Sequence, residues 1–269
     1  FFQAEDGIRD TSVTGVQTCA LPILLSKRII PVLLCRGRQL IKGKNFNSWR
    51  TVGHAEQAVR IYQKRNVDEL VLLDISATIE GRSPDYEMVA QLSEECFMPL
   101  AVGGGVRGIN EVKALLRSGA DKVIINSAAM EDMNVIAQIA DAVGSQAIVV
   151  SIDVSGGTVH SRSGSKDTGM SPVSVAKAAQ ACGAGEILLT SIDREGTLEG
   201  YDLDLIREVA RVSKVPVIAN GGCGNYDHMY WALMAGADAV AAGAMFQFED
   251  ATPIEAARHL SKLNIEVRL

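Results

Sequence analysis

Aromatic residues make up only 5% of this 269-residue chain, and no apolar run reaches the roughly 18 to 20 residues that a membrane-spanning helix requires. The second shortage gives no reason to expect a membrane partner. Cysteine pairs are missing too: Cys19, Cys35, Cys96, Cys182 and Cys223 include no C-x-x-C spacing, and only four histidines accompany them. Neither a zinc site nor a disulfide framework is therefore expected, and a reducing cytoplasm is the simplest location. Positive charge is short as well. The net charge of -6 argues against nucleic acid as a partner, because gripping a phosphate backbone normally needs a basic surplus.

What remains is a composition of 47% hydrophobic and 22% charged residues with 25 glycines, suited to one globular enzyme domain with a large core. Residues 1–23, FFQAEDGIRDTSVTGVQTCALPI, stand apart. They have neither the basic start and apolar stretch of a signal peptide nor a helical period. QAEDGIRD and VTGVQTCALPI read like in-frame translations of synthetic adapters used in high-throughput DNA sequencing. Fold reasoning therefore starts at residue 24, and residues 24–269 are expected to form a single domain.

From Ser26 onward, eight β-branched runs alternate with helical patterns, at 27–34, 69–76, 99–106, 122–129, 147–154, 186–193, 216–222 and 239–246. Each run is almost continuously apolar, as parallel strands covered on both faces should be. Amphipathic stretches such as INEVKALLRSG and DLDLIREVARV lie between them, with Gly119 and Gly236 placed as C-terminal caps. The halves repeat: Glu69 and Glu186, Pro99 and Pro216, Gly104 and Gly221, and Gly119 and Gly236 are all 117 positions apart. The pattern predicts an α/β (β/α)8 TIM barrel built from two half-barrel repeats. An open doubly wound sheet would leave the half-length repeat unexplained.

In such barrels the site lies on the loops that follow the strands. Gly103-Gly104-Gly105 ends the third run and Gly221-Gly222 the seventh, while Asn126-Ser127 and Gly243-Ala244 end the fourth and eighth. Glycine turns that bare backbone amides can cradle anions, although they also serve tight packing. Their duplication points to two phosphate sites on opposite sides of one mouth, gripping a small molecule phosphorylated at both ends.

KRIIP, DELVLLDISAT, VGGGV, GADKVIINSAA, VVSID, GAGEILLTSIDREGT, NGGCG and GADAVAAGAMF together resemble the cyclase subunit family of imidazole glycerol phosphate synthase, from about Lys27 to Leu269. The resemblance implies a heterodimer with a glutaminase subunit docked at the barrel bottom. Ammonia would cross the barrel interior to a bisphosphorylated histidine precursor at the top, with no cofactor or metal. Carried over residue by residue, it implies phosphate contacts at Gly104, Gly105, Asn126 and Ser127 on one side. On the other it implies Glu195, Gly196, Gly221, Gly222, Gly243 and Ala244. The family often has Ala-Ser where this chain has Gly243-Ala244, so one hydroxyl is missing. Lys42 matches a mobile-loop lysine that reaches toward a phosphate. Arg28, Glu69, Lys122 and Glu186 match the charged ring that gates the ammonia channel, and Asp121 falls at the glutaminase contact.

One departure bears on the chemistry. The family places aspartates at the ends of strands 1 and 5 for acid and base work. Asp153 fits the second, but Leu34 stands at the first, and Cys35 should point away from the site. A divergent branch resembles this chain at Ile30-Pro31-Val32-Leu33-Leu34 and at Glu95-Cys96-Phe97-Met98-Pro99-Leu100. That branch implies ammonia delivery for acetamidino (amidine) groups on bacterial surface-polysaccharide (lipopolysaccharide) sugars, with a third, acceptor-activating enzyme. The alternatives are histidine biosynthesis itself and a noncatalytic scaffold that stimulates a glutaminase.

Overall fold

A computed structural model describes residues 26–65, 67–248 and 250–269. The adapter-like segment 1–23 lies outside them. Twelve strands are present among the described residues: β1 (Arg28–Arg36), β2 (Gln39–Lys44), β3 (Asn47–His54), β4 (Leu70–Asp74), β5 (Leu100–Gly103), β6 (Lys122–Ile125), β7 (Ile148–Ser155), β8 (Thr158–Ser161), β9 (Lys166–Asp167), β10 (Glu186–Ser191), β11 (Val217–Asn220) and β12 (Ala239–Ala242). Eight of them run parallel in the order β10-β11-β12-β1-β4-β5-β6-β7, and a further β10–β7 pairing closes the circle. This is the expected (β/α)8 barrel.

The near-continuous apolar runs are explained by two buried faces. Along β1, Ile30, Val32 and Leu34 point into the lumen with Val71, Ile124, Leu188 and Ile218. The alternating Ile29, Leu33 and Cys35 face the helical layer and share its core with Val59, Leu115 and Val209. Cys35 thus points away from the mouth, as strand alternation requires. Burial also pushes its thiol well above the usual range.

The duplication is visible in backbone detail. Asp85 and Asp202, 117 positions apart, each cap a helix by accepting from the amide three residues on, Met88 N–H at 2.9 Å and Leu205 N–H at 3.0 Å. Gly119 and Gly236 follow their helices at φ of 99° and 113°, conformations that favour glycine. Asp121 and Asp238 bond the amides that open β5 and β11, Leu100 N–H at 2.9 Å and Val217 N–H at 3.1 Å.

The sequence runs overshoot several strands at their C-terminal ends. Predicted 122–129 stops at Ile125 and 239–246 at Ala242, because the residues beyond turn into short helices at 127–131 and 244–248. Two hairpins were not expected. β2 and β3 continue from β1, and β8 and β9 continue from β7. Lys42 therefore belongs to strand β2, not to an open loop.

Candidate active site at the barrel mouth

A pocket of about 810 Å³, open to solvent, occupies the C-terminal mouth of the barrel. Its wall from the first half of the chain is largely apolar, with Leu34, Leu73, Ile75 and Ile124, while the second half contributes Ser151, Asp153, Thr190, Glu195 and Asn220. Phe46 and Trp49, from the first hairpin, also line it. Their rings stand 6.4 Å apart between centroids.

Asp153 lies on β7, four strands around the barrel from β1 in either direction, and so across the mouth from Leu34. Ser151 Oγ donates to its Oδ1 at 2.9 Å and Asn126 Nδ2 to its Oδ2 at 3.3 Å. Burial raises the Asp153 pKa to about 6 against the opposing hydrogen bonds of Ser151 and Thr190, and the nearby Glu195 carboxylate adds to the rise. A carboxyl poised near neutrality can both take and return a proton. Leu34, only 6% exposed, faces the same pocket and offers no such group.

A second pocket carboxylate, Asp74, was not singled out in the sequence. Its Oδ1 accepts from Ser76 and Ala77 N–H at 3.0 and 3.2 Å, and its Oδ2 accepts from Arg82 at 2.7 Å. With these donors in place it anchors the loop after β4. Thr78 and Arg162 were also missed. Thr78 ends the DELVLLDISAT stretch and Arg162 lies in a segment without a motif, and only the closed mouth brings them to Gly105 and Ser127.

Gly104, Gly105, Asn126 and Ser127 come together on the pocket wall. Gly104 and Gly105 take φ of 107° and 74°, and a side chain on Gly104 would strike the Asp74 carbonyl. The Gly105 amide donates to Thr78 Oγ1 at 3.2 Å, and Ser127 Oγ accepts from Arg162 N–H at 3.0 Å. Asn126 is held by the Ser151 and His160 carbonyls, both at 3.2 Å.

Gly196, Gly221, Gly222, Gly243 and Ala244 gather at the same end, but none of them lines that pocket. The first hairpin packs on Gly196 and Gly243. Asn45 N–H donates to the Glu195 carbonyl at 2.8 Å, and Asn45 Nδ2 bonds the Ile192 and Asp193 carbonyls. The structure places two of the expected phosphate-contact residues here. Lys42 is 1% exposed, its side chain folded inward from β2. The Glu195 amide donates to the Ser191 carbonyl at 3.0 Å. The Glu195 carboxylate stands 3.8 Å from Lys42 Nζ.

At the opposite end, the four charged strand starts form one circuit. Arg28 reaches Glu69 at 2.5 Å and Glu186 at 3.1 Å, and Lys122 reaches the same two at 2.8 and 3.0 Å. Glu69 is 2% exposed, and its Oε1 has no hydrogen-bond partner among the described residues. Asp121 stands outside the circuit, tied to Leu100 N–H.

An eight-stranded parallel barrel with a near-neutral buried carboxyl at its C-terminal mouth places the molecule among the (β/α)8-barrel enzymes. The chain belongs to the histidine biosynthesis protein family, whose model matches residues 28–252. It is 45% identical over 251 residues to the imidazole glycerol phosphate synthase subunit HisF of Chlorobium phaeobacteroides, covering 91% of this chain and all of that protein. The protein of the same name from Dictyoglomus thermophilum is 43% identical over the same span, and that of Dehalococcoides mccartyi is 45% identical. No helix among the described residues is long and apolar enough to cross a membrane.

Proposed function

We propose that this chain is the ammonia-accepting synthase subunit of a two-subunit glutamine amidotransferase. A separate glutaminase docks around the Arg28–Glu69–Lys122–Glu186 circuit and Asp121, and ammonia passes along the lumen to the mouth. There the glycine turns after β5 and β11 hold the two ends of a doubly phosphorylated acceptor, and Asp153 moves the proton. Kinship with synthase subunits HisF over 91% of the chain supports the ammonia-using role.

The observation that carries the choice of acceptor is Leu34 on the pocket wall across from Asp153. A leucine neither accepts a proton nor stabilises developing charge, and loss of one general acid or base typically lowers a rate by about a hundred- to ten-thousand-fold. The acceptor is accordingly one whose conversion needs a single carboxyl. An amidine-forming step on a surface-polysaccharide sugar, nucleotide-linked or otherwise phosphorylated and activated by a third enzyme, meets that condition. The second reading is the histidine-pathway reaction itself, favoured by the names of the relatives at 43% and 45% identity.

Copurification with a glutaminase, followed by glutamine-dependent assays on the histidine precursor and on nucleotide sugars, separates the two. The first reading predicts glutaminase stimulation, negligible turnover of the histidine precursor, and a gain of at least about a hundredfold in that turnover for Leu34→Asp. Vigorous turnover of the precursor by the unaltered chain would establish the second reading instead.

A further inference from the structure

Beside the active-site pocket lies a second chamber, about 980 Å³ and open to solvent, that the chemistry at Asp153 does not use. The two spaces share a wall of four residues: Phe46 and Trp49 from the first hairpin, Ile75 from the loop after β4, and Ser163 from the second hairpin. The last two are joined by a hydrogen bond, Ser163 Oγ to the Ile75 carbonyl at 2.7 Å. One elongated molecule can therefore occupy both spaces.

The two rings of the shared wall are seated against glycines. A methyl group built on Gly164 would lie 2.8 Å from Phe46 Cδ2, and one built on Gly43 would strike the Trp49 ring. Gly164 also stands at φ of 82°, so the turn that receives Phe46 favours glycine twice over. The rings are 6.4 Å apart between centroids, inclined at 39°, and each is only partly buried, which leaves aromatic surface open to a ligand. Exposed Ile79 and buried Ile192 extend the apolar lining. An aromatic and aliphatic surface of this kind suits a planar ring.

One cation completes the chamber. Arg36, exposed at the end of β1, makes no side-chain hydrogen bond or ion pair among the described residues. Glu80, the acid that also lines the chamber, is bound to Arg82 at 2.6 Å. The Arg36 guanidinium is thus available to an incoming anion, and its fork of donors matches phosphate oxygens.

We propose that this chamber is a nucleoside diphosphate subsite: a nucleobase stacks on the Phe46 and Trp49 rings, Arg36 binds an oxygen of the diphosphate, and the sugar linked to it enters the pocket of Asp153. Its use in turnover rests on the reading of the acceptor as a nucleotide-linked sugar. Every base presents a π face, so the platform fixes the class of ligand and not the particular base.

The chain has two tryptophans, Trp49 and Trp231, and Trp231→Phe leaves Trp49 as the sole reporter. The replaced ring is 54% exposed on the helix at 226–234, away from the chamber. In this background UDP and ADP should each quench Trp49 emission saturably, and inorganic pyrophosphate should compete at least about tenfold more weakly. Phe46→Ala should weaken both nucleotides by about tenfold. Arg36→Gln, a surface change that guards against a disturbed hairpin in the first variant, should weaken them by about fivefold. Nucleotides that compete no better than pyrophosphate, or that bind the two variants as tightly as the parent, would overturn the subsite. Nucleotide binding with both expected losses, in a protein whose glutamine-dependent turnover is confined to the histidine precursor, would keep the subsite and sink the acceptor reading.

Discussion

The two halves of the barrel share a frame and differ in what they place on it. Asp85 and Asp202 cap equivalent helices, Asp121 and Asp238 hold equivalent strand starts, and Gly104 and Gly221 make equivalent turns at φ of 107° and 92°. At the mouth the symmetry ends. Leu34 stands at the end of β1 where Asp153 stands on β7. Duplication repeats positions whose side chains serve the backbone, because the same backbone needs the same capping and clearance. Positions that face only the pocket carry no such constraint, so each half could specialise. The result is an apolar wall facing a polar one.

Removing the polar half's carboxyl should break this comparison most sharply. Asp153→Asn is expected to lower glutamine-dependent product formation by about a hundred- to ten-thousand-fold, and the unaltered protein should gain activity as pH rises through about 6. The same carboxyl leaves a stability signature of known sign. Its folded pKa lies above its unfolded value, so the folded state prefers the proton, and stability is lost as pH rises from about 4 to 6. Asp153→Asn should flatten that slope in denaturant melts at stepped pH, and an unaltered slope would sink the assignment.

The charged circuit at the far end offers the next largest effect. Glu69→Gln leaves Arg28 and Lys122 sharing only Glu186, and should cost about 3 kcal/mol in equilibrium unfolding. Glu186→Gln, at a strand start that is 14% exposed against 2% for Glu69, should cost less. Equal losses would show that the ring is solvated and that its two acids are interchangeable.

The smallest effect examines the shared frame itself. Gly104→Ala forces a methyl group toward the Asp74 carbonyl and Gly221→Ala one toward the Ser191 carbonyl, each at positive φ. Both should lose about 1–3 kcal/mol by thermal or chemical denaturation. A gap between them larger than that range would mean that the two turns are not structural equivalents.

Much of this was readable without coordinates. The barrel followed from doubly apolar runs and from a 117-residue repeat, and the resemblance to the synthase family marked Asp153, Leu34 and the four charged strand starts. The hairpins were not readable. The turn between β2 and β3 uses Asn45 and Phe46 at φ of 52° and 56°, a two-residue hairpin turn without its usual glycine. Arg162, Ser163 and Gly164, between β8 and β9, likewise carry little turn signal beyond one glycine.

Sequence alone determined the architecture, because hydrophobic period and repeat length are local or countable properties and a closed barrel is the arrangement that satisfies both. Tertiary structure decided the electrostatics. Asp153 is near-neutral only because burial strips it of water, and Lys42 is buried only because a residue 201 positions later has no side chain. Desolvation and steric vacancy belong to the space between segments, and no stretch of sequence contains that space.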